Sequence, residues 1–204
     1  MRTGILGGTF DPVHMGHLEI ARVAAREASL DEVLFVPTGE PWLKAGLRVT
    51  ASGHRAKMVE MAIEDNPKFR MSSVEVDRSG PTYTVDTLVD LNRAGTELGS
   101  LFFILGLDSL AMLHLWHEPQ RLFDLCTLVA ISRPGHGQFE ISSLDEIRRG
   151  VSKEVIVING PNIEISGKDI RHRVSQGLTI KGWVPEKVEE YIRAQSLYEE
   201  GKIG

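Results

Sequence analysis

The sequence has a single cysteine, Cys126, so it cannot form an internal disulfide bond. This cysteine lies within the apolar stretch 125–131, which predicts a buried, unreactive thiol in a cytoplasmic protein. Long apolar runs are also missing. The longest clean one, residues 101–107, is far shorter than the roughly 20 residues that cross a bilayer. Because the N-terminal residues also lack the apolar region of a signal peptide, we expect a cytoplasmic protein with no membrane partner.

Positive charge is in short supply. Lysine and arginine number 23 against 28 aspartates and glutamates, which gives a formal net charge of −5. A negatively charged chain without a basic stripe is not expected to bind nucleic acid. A small anionic ligand needs only a local cluster of positive groups and is compatible with this balance. The 204 residues include 42% hydrophobic and 25% charged ones, a globular composition that excludes a mainly disordered chain, a collagen and a coiled coil.

Apolar runs typical of buried strands alternate with helical patterns along the chain. The strands are predicted at residues 2–6, 32–37, 71–76, 101–105, 127–131 and 155–158. The helices are predicted at residues 17–28, 55–63, 84–93, 110–115, 119–125, 168–175 and 186–194. Strands separated by helices imply parallel βαβ units, in an α/β fold whose sheet is covered on both faces. Ligands of such sheets bind beside the carboxyl ends of the strands, so the loops after strands are candidate sites.

The loop after the first strand carries the strongest functional pattern. Residues 7–17 read Gly-Gly-Thr-Phe-Asp-Pro-Val-His-Met-Gly-His and open the first helix. The paired glycines permit close approach to the backbone, and the N–H groups at a helix start attract an anion. His14 and His17 are three residues apart and face the same side of the first turn, with Gly16 leaving space between them. The loop therefore predicts a phosphate-chain site with two imidazole donors.

Two other interpretations of this histidine pair remain open. The first is a glycine turn followed by two solvated histidines. The second is a zinc site, although zinc needs third and fourth ligands, and neither a cysteine nor a third histidine lies at the required spacing. His114 and His117 form another spaced pair, which we interpret as polar positions flanking Trp116 rather than as metal ligands. No metal bound directly by protein side chains is expected.

The first loop closely resembles the opening motif of the His-x-Gly-His nucleotidyltransferases. Other segments are similar, in the same order, to those of bacterial nicotinate-nucleotide adenylyltransferases: residues 80–88 (Gly-Pro-Thr-Tyr-Thr-Val-Asp-Thr-Leu), 105–110 (Leu-Gly-Leu-Asp-Ser-Leu), 132–135 (Ser-Arg-Pro-Gly) and 165–171 (Ile-Ser-Gly-Lys-Asp-Ile-Arg). The resemblance covers nearly the whole chain. It implies a Rossmann-like, doubly wound and mostly parallel sheet with a small C-terminal helical extension. We expect one domain, with its core at 1–160 and the extension at 161–204.

The family resemblance also implies an activity. Members of the family transfer AMP from ATP to nicotinate mononucleotide, which yields nicotinate adenine dinucleotide and pyrophosphate in NAD biosynthesis. The phosphate oxygen of the acceptor attacks directly, so no covalent enzyme intermediate is expected. Mg²⁺ is the expected cofactor, because it accompanies ATP and bridges phosphate oxygens largely through water. The expected partners are these small molecules, and a homo-oligomer is compatible with the sequence.

The resemblance assigns the site residues to three groups. The catalytic group, which aligns the reactants and stabilises charge on the phosphates, is His14, His17, Lys44 and Arg171. The ATP-binding group is Gly7, Gly8, Thr9, Phe10, Gly16, Gly106, Asp108, Ser166 and Arg171. The group that binds the nicotinate nucleotide is Thr82, Tyr83, Thr84, Trp116, Arg133 and Lys44. The residue types suit the last role, because N–H groups before a helix hold a carboxylate and flat aromatic side chains hold a pyridine ring.

Several of these residues also have a purely structural interpretation. Thr84 and Asp108 are candidate helix N-caps, and Ser166 is a candidate half of a capping box. Trp116 is a candidate core residue, and Lys44 is a candidate surface lysine. The three-dimensional structure distinguishes these roles wherever it describes the residue.

Two segments depart from the family pattern. In the Ile-Ser-Ser-Thr-x-x-Arg motif of the family, Gly167 replaces a serine and Lys168 replaces the threonine, so one hydroxyl donor is lost and one cation is gained. Leu43 replaces the histidine of a Pro-x-His-Lys motif. The first departure places the detailed role of the 166–171 turn in question.

Two rival functions remain at this point. One is an adenylyltransferase for another acceptor, either nicotinamide mononucleotide or phosphopantetheine. The other is a non-catalytic nucleotide sensor built on the same fold. Pyrophosphate release measured with a panel of acceptors distinguishes all three.

Overall fold

The computed structural model of the 204-residue chain describes residues 1–40, 49–96, 98–132 and 139–199. Within these residues the strands are β1 (Thr3–Gly8), β2 (Glu32–Pro37), β3 (Phe69–Met71), β4 (Leu101–Gly106), β5 (Thr127–Ser132) and β6 (Ile156–Asn159). They form one sheet in the order β3-β2-β1-β4-β5-β6, and every neighbouring pair is parallel. The predicted α/β, doubly wound architecture is therefore confirmed.

Helices cover both faces of this sheet. Those in the described residues are α1 (Met15–Glu27), α2 (Ser52–Ile63), α3 (Thr84–Arg93), α4 (Leu107–Ala111), α5 (Pro119–Leu125), α6 (Gly167–Ser175) and α7 (Glu186–Ala194). α1, α2, α6 and α7 pack into one hydrophobic cluster, whereas α3, α4 and α5 pack into a second cluster on the opposite face. None of these helices is both long and apolar enough to cross a membrane.

Strand β4 shows why the central strands are apolar at every position. Phe102 and Ile104 point into the cluster beneath α1, while Leu101, Phe103 and Leu105 point into the cluster beneath α3. Successive side chains of a strand face opposite sides, and here neither side meets water. The strand therefore shows a continuous apolar run instead of the alternation of a half-exposed strand.

The order of the strands creates a crevice at the centre of the sheet. The chain runs from β1 outward to β3, returns to β4 on the other side of β1, and continues outward to β6. Leu6 of β1 consequently pairs with both Phe35 of β2 and Ile104 of β4. The loops that follow β1 and β4 diverge from this point, which is where doubly wound sheets bind their ligands.

The strand predicted at 71–76 is wrong in its position. β3 ends at Met71, and the Asp77 N–H donates to the Ser73 carbonyl at 2.8 Å in the turn that follows. The Ser73 hydroxyl also donates to the Asp77 carboxylate at 2.5 Å. These local hydrogen bonds compete with strand pairing, while the alternating apolar residues of the turn imitate a strand in the sequence.

The helix predicted at 110–115 consists of two elements. α4 starts earlier, at Leu107, and ends at Ala111, and a 3₁₀ turn follows at Leu113–Leu115. The predicted helices at 84–93, 119–125 and 186–194 have the bounds of α3, α5 and α7.

The C-terminal helices pack directly against the start of α1. Ile170, Val188 and Ile192 are buried in the cluster that also contains Leu18. The Met15 N–H donates to the carbonyl of Trp183, between α6 and α7, at 2.9 Å. Residues far apart in the sequence therefore meet beside the first loop.

The single cysteine lies at the end of α5, away from that loop. Its thiol donates to the Leu122 carbonyl at 3.4 Å. Burial raises the pKa of the Cys126 thiol to about 12, so the thiol is protonated and a weak nucleophile at neutral pH. This agrees with the unreactive thiol predicted from the sequence.

Candidate active site

A cleft of about 330 Å³, called here the main cleft, opens at the carboxyl ends of β1 and β4. Members of all three predicted groups meet in its walls. From the ATP-binding and catalytic groups it is lined by Gly7, Gly8, Thr9, His17, Gly106 and Asp108. From the nicotinate-nucleotide group it is lined by Thr82, Tyr83, Thr84 and Trp116. Its position is that of the switch point predicted from the strand order.

A smaller hollow of about 140 Å³, called here the side hollow, lies between the start of α1 and the segment that leads into α6. Four predicted site residues line it: His14, Gly16, His17 and Ser166. His17 and Ile20 line both spaces, so the two spaces adjoin at these residues of α1. Together they can hold an extended ligand that passes His17.

The two histidines at the start of α1 stack on each other. Their ring centroids are 3.7 Å apart, and the planes differ by 26°. His14 is the N-cap residue and only 7% exposed, so the alternative of two solvated histidines is wrong for it. The His14 N–H donates to His17 Nδ1 at 3.2 Å. A neutral His17 ring therefore carries its proton on Nε2, which makes Nε2 a hydrogen-bond donor.

Two glycines of the site are fixed by close packing. A Cβ at Gly16 would lie 3.1 Å from the His14 ring, tighter than ordinary van der Waals contact. A Cβ at Gly106 would lie 2.2 Å from the Asp108 carboxylate, so a side chain there would displace Asp108 from its position. The space beside Gly16 is thus occupied largely by His14 itself.

The helix-cap interpretations of Thr84 and Asp108 are wrong. Tyr83 is the N-cap residue of α3, and Thr84 is the first helical residue. Gly106 is the N-cap residue of α4, which leaves Asp108 inside the first turn with its side chain at the main cleft. Both residues are therefore placed where a ligand of the cleft would meet them.

Aromatic side chains form one end of the main cleft. The Tyr83 ring lies 4.4 Å from the His117 ring, with 32° between the planes. Trp116 is half-buried and meets Phe103 edge to face at 5.9 Å. Its indole Nε1 is buried and has no hydrogen-bond partner within the described residues. Trp116 is thus partly a packing residue and partly a wall of the cleft.

The turn that departs from the family pattern packs onto the first loop. The Ser166 hydroxyl oxygen accepts from the Asp169 N–H at 3.1 Å and caps α6, which confirms its structural interpretation. Arg171 donates to the Asp11 backbone carbonyl and lies 3.9 Å from the Asp11 carboxylate. A Cβ at Gly167 would lie 2.8 Å from that same carbonyl oxygen. Glycine at this position therefore allows α6 to approach the first loop closely.

Restoring the family's serine should consequently destabilise this chain. We expect Gly167→Ser to lower the free energy of unfolding by about 1–3 kcal/mol, the usual cost of overpacking. This exceeds the gain of roughly 0.5 kcal/mol in helix propensity. Urea denaturation measures the change. Lys168→Thr restores the other family residue at an exposed position and should change stability by less than about 0.5 kcal/mol. Equal stability of Gly167→Ser and the parent chain would show that the first loop can move to accommodate the serine without a loss of unfolding free energy.

Asp11 is an organising residue that the sequence did not reveal. It is 8% exposed and accepts from the Tyr198 hydroxyl at 2.7 Å and from the Thr50 N–H at 3.3 Å. Burial, reinforced by the Asp11 charge, raises the pKa of Tyr198, so its hydroxyl keeps the proton that it donates. The C-terminal segment therefore holds the first loop through a partly buried hydrogen bond.

Glu75 and His117 also line the main cleft without having been predicted as site residues. Burial raises the pKa of the Glu75 carboxyl, while the hydrogen bond from Thr87 and the positive charge of Arg78 oppose this effect. The Thr87 hydroxyl donates to Glu75 Oε1 at 2.7 Å. The carboxylate is therefore held within the wall instead of pointing into open solvent.

The remaining predicted residues lie elsewhere. The Phe10 side chain is in the core, 2% exposed, and meets the His17 ring edge to face at 4.9 Å. It therefore packs between the core and the His17 ring. Lys44 and Arg133 fall outside the described residues. Within the described part of the chain, no three histidine, cysteine, aspartate or glutamate side chains converge as a metal site would require.

Known proteins resemble this chain over nearly its full length. Residues 5–173 match the cytidylyltransferase-like family. A protein of Dehalococcoides mccartyi named "probable nicotinate-nucleotide adenylyltransferase" is 41% identical over 198 residues, which is 97% of each chain. A protein of Roseiflexus sp. with the same name is 44% identical over 195 residues, or 96% of each chain.

Solved structures share the fold. The nicotinic acid mononucleotide adenylyltransferase of Plasmodium falciparum, complexed with NaAD, superposes with a TM-score of 0.78 over 97% of each chain at 22% identity. The same enzyme complexed with APC superposes with a TM-score of 0.76 over 97% of this chain and 96% of that one.

Proposed function

Since this chain belongs to the cytidylyltransferase-like family and, within it, to the nicotinate-nucleotide adenylyltransferases, we propose that it transfers AMP from ATP to nicotinate mononucleotide. The products are nicotinate adenine dinucleotide and pyrophosphate. The observation that carries this proposal is the position of His17, which lines both the main cleft and the side hollow. An ATP phosphate chain beside His17 would face an acceptor seated between Thr82 and Trp116.

The chemistry needs no protein nucleophile. A phosphate oxygen of nicotinate mononucleotide, ionised at neutral pH, forms a bond to the α-phosphorus of ATP. The bond from that phosphorus to the bridging oxygen of the β-phosphate breaks, and pyrophosphate leaves with the electron pair. Catalysis then consists of in-line alignment and stabilisation of the charge that develops on the phosphates. His17 donates from Nε2 to the α-phosphate, and His14 lies further along the phosphate chain.

Arg171 stabilises the departing pyrophosphate. Its side chain is 38% exposed, and a guanidinium has five N–H donors, so it can bind a phosphate while one donor stays on the Asp11 carbonyl. Lys44 would add a second cation. Because Arg171 comes from α6, we propose that the chain acts as one domain to which the C-terminal extension contributes a catalytic group.

Mg²⁺ is the proposed cofactor, carried by ATP. The nearest buried carboxylate of the first loop, Asp11, already accepts from Tyr198 and Thr50. The donor set around the loop therefore fits an ion held by phosphate oxygens and water better than one held by side chains. When bound, such an ion neutralises the phosphates and aligns them.

The acceptor end of the cleft suits a carboxylated pyridine ring. The backbone N–H groups at the start of α3, around Thr84, can hold a carboxylate as helix N-termini hold anions. Tyr83, His117 and Trp116 offer aromatic surfaces for the ring. A nicotinate ring uses both features, whereas phosphopantetheine, which has no ring, uses neither.

The test is a pyrophosphate-release assay with ATP, Mg²⁺ and each of three acceptors. We expect the highest kcat/KM with nicotinate mononucleotide and lower values with nicotinamide mononucleotide and phosphopantetheine. Preference for either of the other acceptors would assign the chain a different substrate. Binding of ATP without pyrophosphate release from any acceptor would identify a nucleotide sensor. Omission of Mg²⁺ should abolish release in the productive reaction.

A further inference from the structure

Arg55 stands out because it is a charged side chain in the core. It is 1% exposed and lies on the buried face of α2, one turn before Met58 and Val59, which are both fully buried. It lines neither the main cleft nor the side hollow. A buried guanidinium is tolerated only where hydrogen bonds replace those of water. Its partners therefore indicate what it holds together.

All three arms of the guanidinium donate to backbone carbonyls of different loops. Nη1 donates to Thr9 at 2.8 Å, Nη2 to Gly39 at 3.0 Å, and Nε to Thr50 at 2.7 Å. Thr9 lies in the first loop, on the ATP side of the main cleft. A planar fork of N–H donors can span three carbonyls, whereas the ammonium group of lysine cannot reproduce this geometry.

The Gly39 contact connects Arg55 to the turn at Thr82, on the side of the main cleft that is proposed to hold nicotinate mononucleotide. This turn is called here the acceptor turn. The carbonyl of Glu40, the next residue, accepts from both the N–H and the hydroxyl of Thr82 at 3.3 Å. Thr82 directly precedes the N-cap of α3 and lines the main cleft. The carbonyl that Arg55 binds and the carbonyl that Thr82 binds therefore belong to adjacent residues, so Arg55 is linked to the acceptor turn through a single residue.

Gly39 is also fixed from its other side. A Cβ there would lie 2.1 Å from the Glu75 carbonyl oxygen, so only glycine fits between the two segments. The buried side chain of Glu75 in turn accepts from the Thr87 hydroxyl of α3 at 2.7 Å. Gly39 is thus held by Arg55 through its carbonyl and by close packing against the Glu75 backbone.

We propose that Arg55 is a positioning residue that sets the separation between the ATP loop at Thr9 and the acceptor turn at Thr82. The proposal rests on the proposed function, because the two sides hold the two reactants of that reaction. Arg55 touches neither reactant, so its loss should leave both binding surfaces intact. In-line attack is sensitive to displacements of about 1 Å, so the loss should fall on kcat.

The experiment compares Arg55→Lys and Arg55→Gln with Val59→Ala. Val59→Ala weakens the packing of the same helix without touching the bridge. We expect Arg55→Lys to lower kcat about 10- to 100-fold, with the KM for each reactant changed less than about threefold. Val59→Ala should lower the Tm and leave kcat per folded molecule unchanged. An unchanged kcat in both Arg55 variants, or a fall of the same size in Val59→Ala, would overturn the proposal.

A second measurement does not depend on turnover. Hydrogen exchange should accelerate in Arg55→Gln at backbone amides of residues 9–11, 38–40 and 82–83, and these segments should exchange normally in Val59→Ala. If the parent chain releases no pyrophosphate, the proposed function fails, while this measurement still decides whether Arg55 joins the two sides. Unchanged exchange in a folded Arg55→Gln protein would overturn the bridging role. Failure of both Arg55 variants to fold would assign the residue to the fold and equally overturn the proposal.

Discussion

His17→Ala should lower kcat by about 10²–10³-fold, the loss that follows removal of one donor to a developing oxyanion. The His17 ring lies at the edge shared by the main cleft and the side hollow, with its proton on Nε2. Alanine removes that donor, and no second imidazole takes its place because the His14 ring is packed against Gly16. Steady-state rates of pyrophosphate release with saturating ATP and nicotinate mononucleotide measure the effect.

His17 also has a structural role that the experiment must separate. Its Nδ1 accepts from the His14 N–H at the start of α1, so His17→Ala should additionally cost about 1 kcal/mol of stability. His17→Gln is the matched control, because glutamine at this helix position also reaches back to the N-cap N–H. We expect His17→Gln to recover the Tm but not the turnover. Near-normal turnover in His17→Ala would contradict the assignment of this residue to the α-phosphate.

The first loop and α3 could be predicted because their information is local. Paired glycines, a histidine at each end of one helical turn and the helix dipole all act within residues 7–17, so reading them required no tertiary contact. The bounds of α3 were likewise readable from the spacing of its apolar residues. The sheet followed from β4 and its neighbours, since continuous apolar strands separated by helices allow few other arrangements.

The turn after β3 shows where local patterns mislead. Val74 and Val76 alternate with polar residues as in a strand, but side-chain hydrogen bonds and the buried Glu75 carboxylate determine a turn. Alternation is a property of the sequence, whereas a strand also needs a partner, and β2 pairs with β3 only as far as Met71.

Arg55 and Asp11 could not be assigned because their roles depend on distant residues. Arg55 binds carbonyls 5, 16 and 46 positions away, and Asp11 binds a hydroxyl 187 positions away. One signal was nonetheless present for Arg55. It precedes Met58 and Val59 by three and four residues, so it occupies the apolar face of α2, where a charged residue requires buried partners.

Trp116→Ala should raise the KM for nicotinate mononucleotide roughly 5- to 150-fold, because a stacked base loses about 1–3 kcal/mol when its aromatic partner becomes alanine. The KM for ATP should change much less, since Trp116 lies with Tyr83 and Thr84 in the main cleft and does not line the side hollow, where His14 and Ser166 lie. Kinetics with each substrate varied in turn gives the two values.

Trp116→Phe keeps an aromatic ring and removes the buried Nε1 donor, so it should retain most of the affinity if stacking is the main interaction. The edge contact with Phe103 is lost in the alanine variant, and its Tm reports that packing effect separately. Equal increases in both KM values would show that Trp116 supports the cleft as a whole and does not select the pyridine ring.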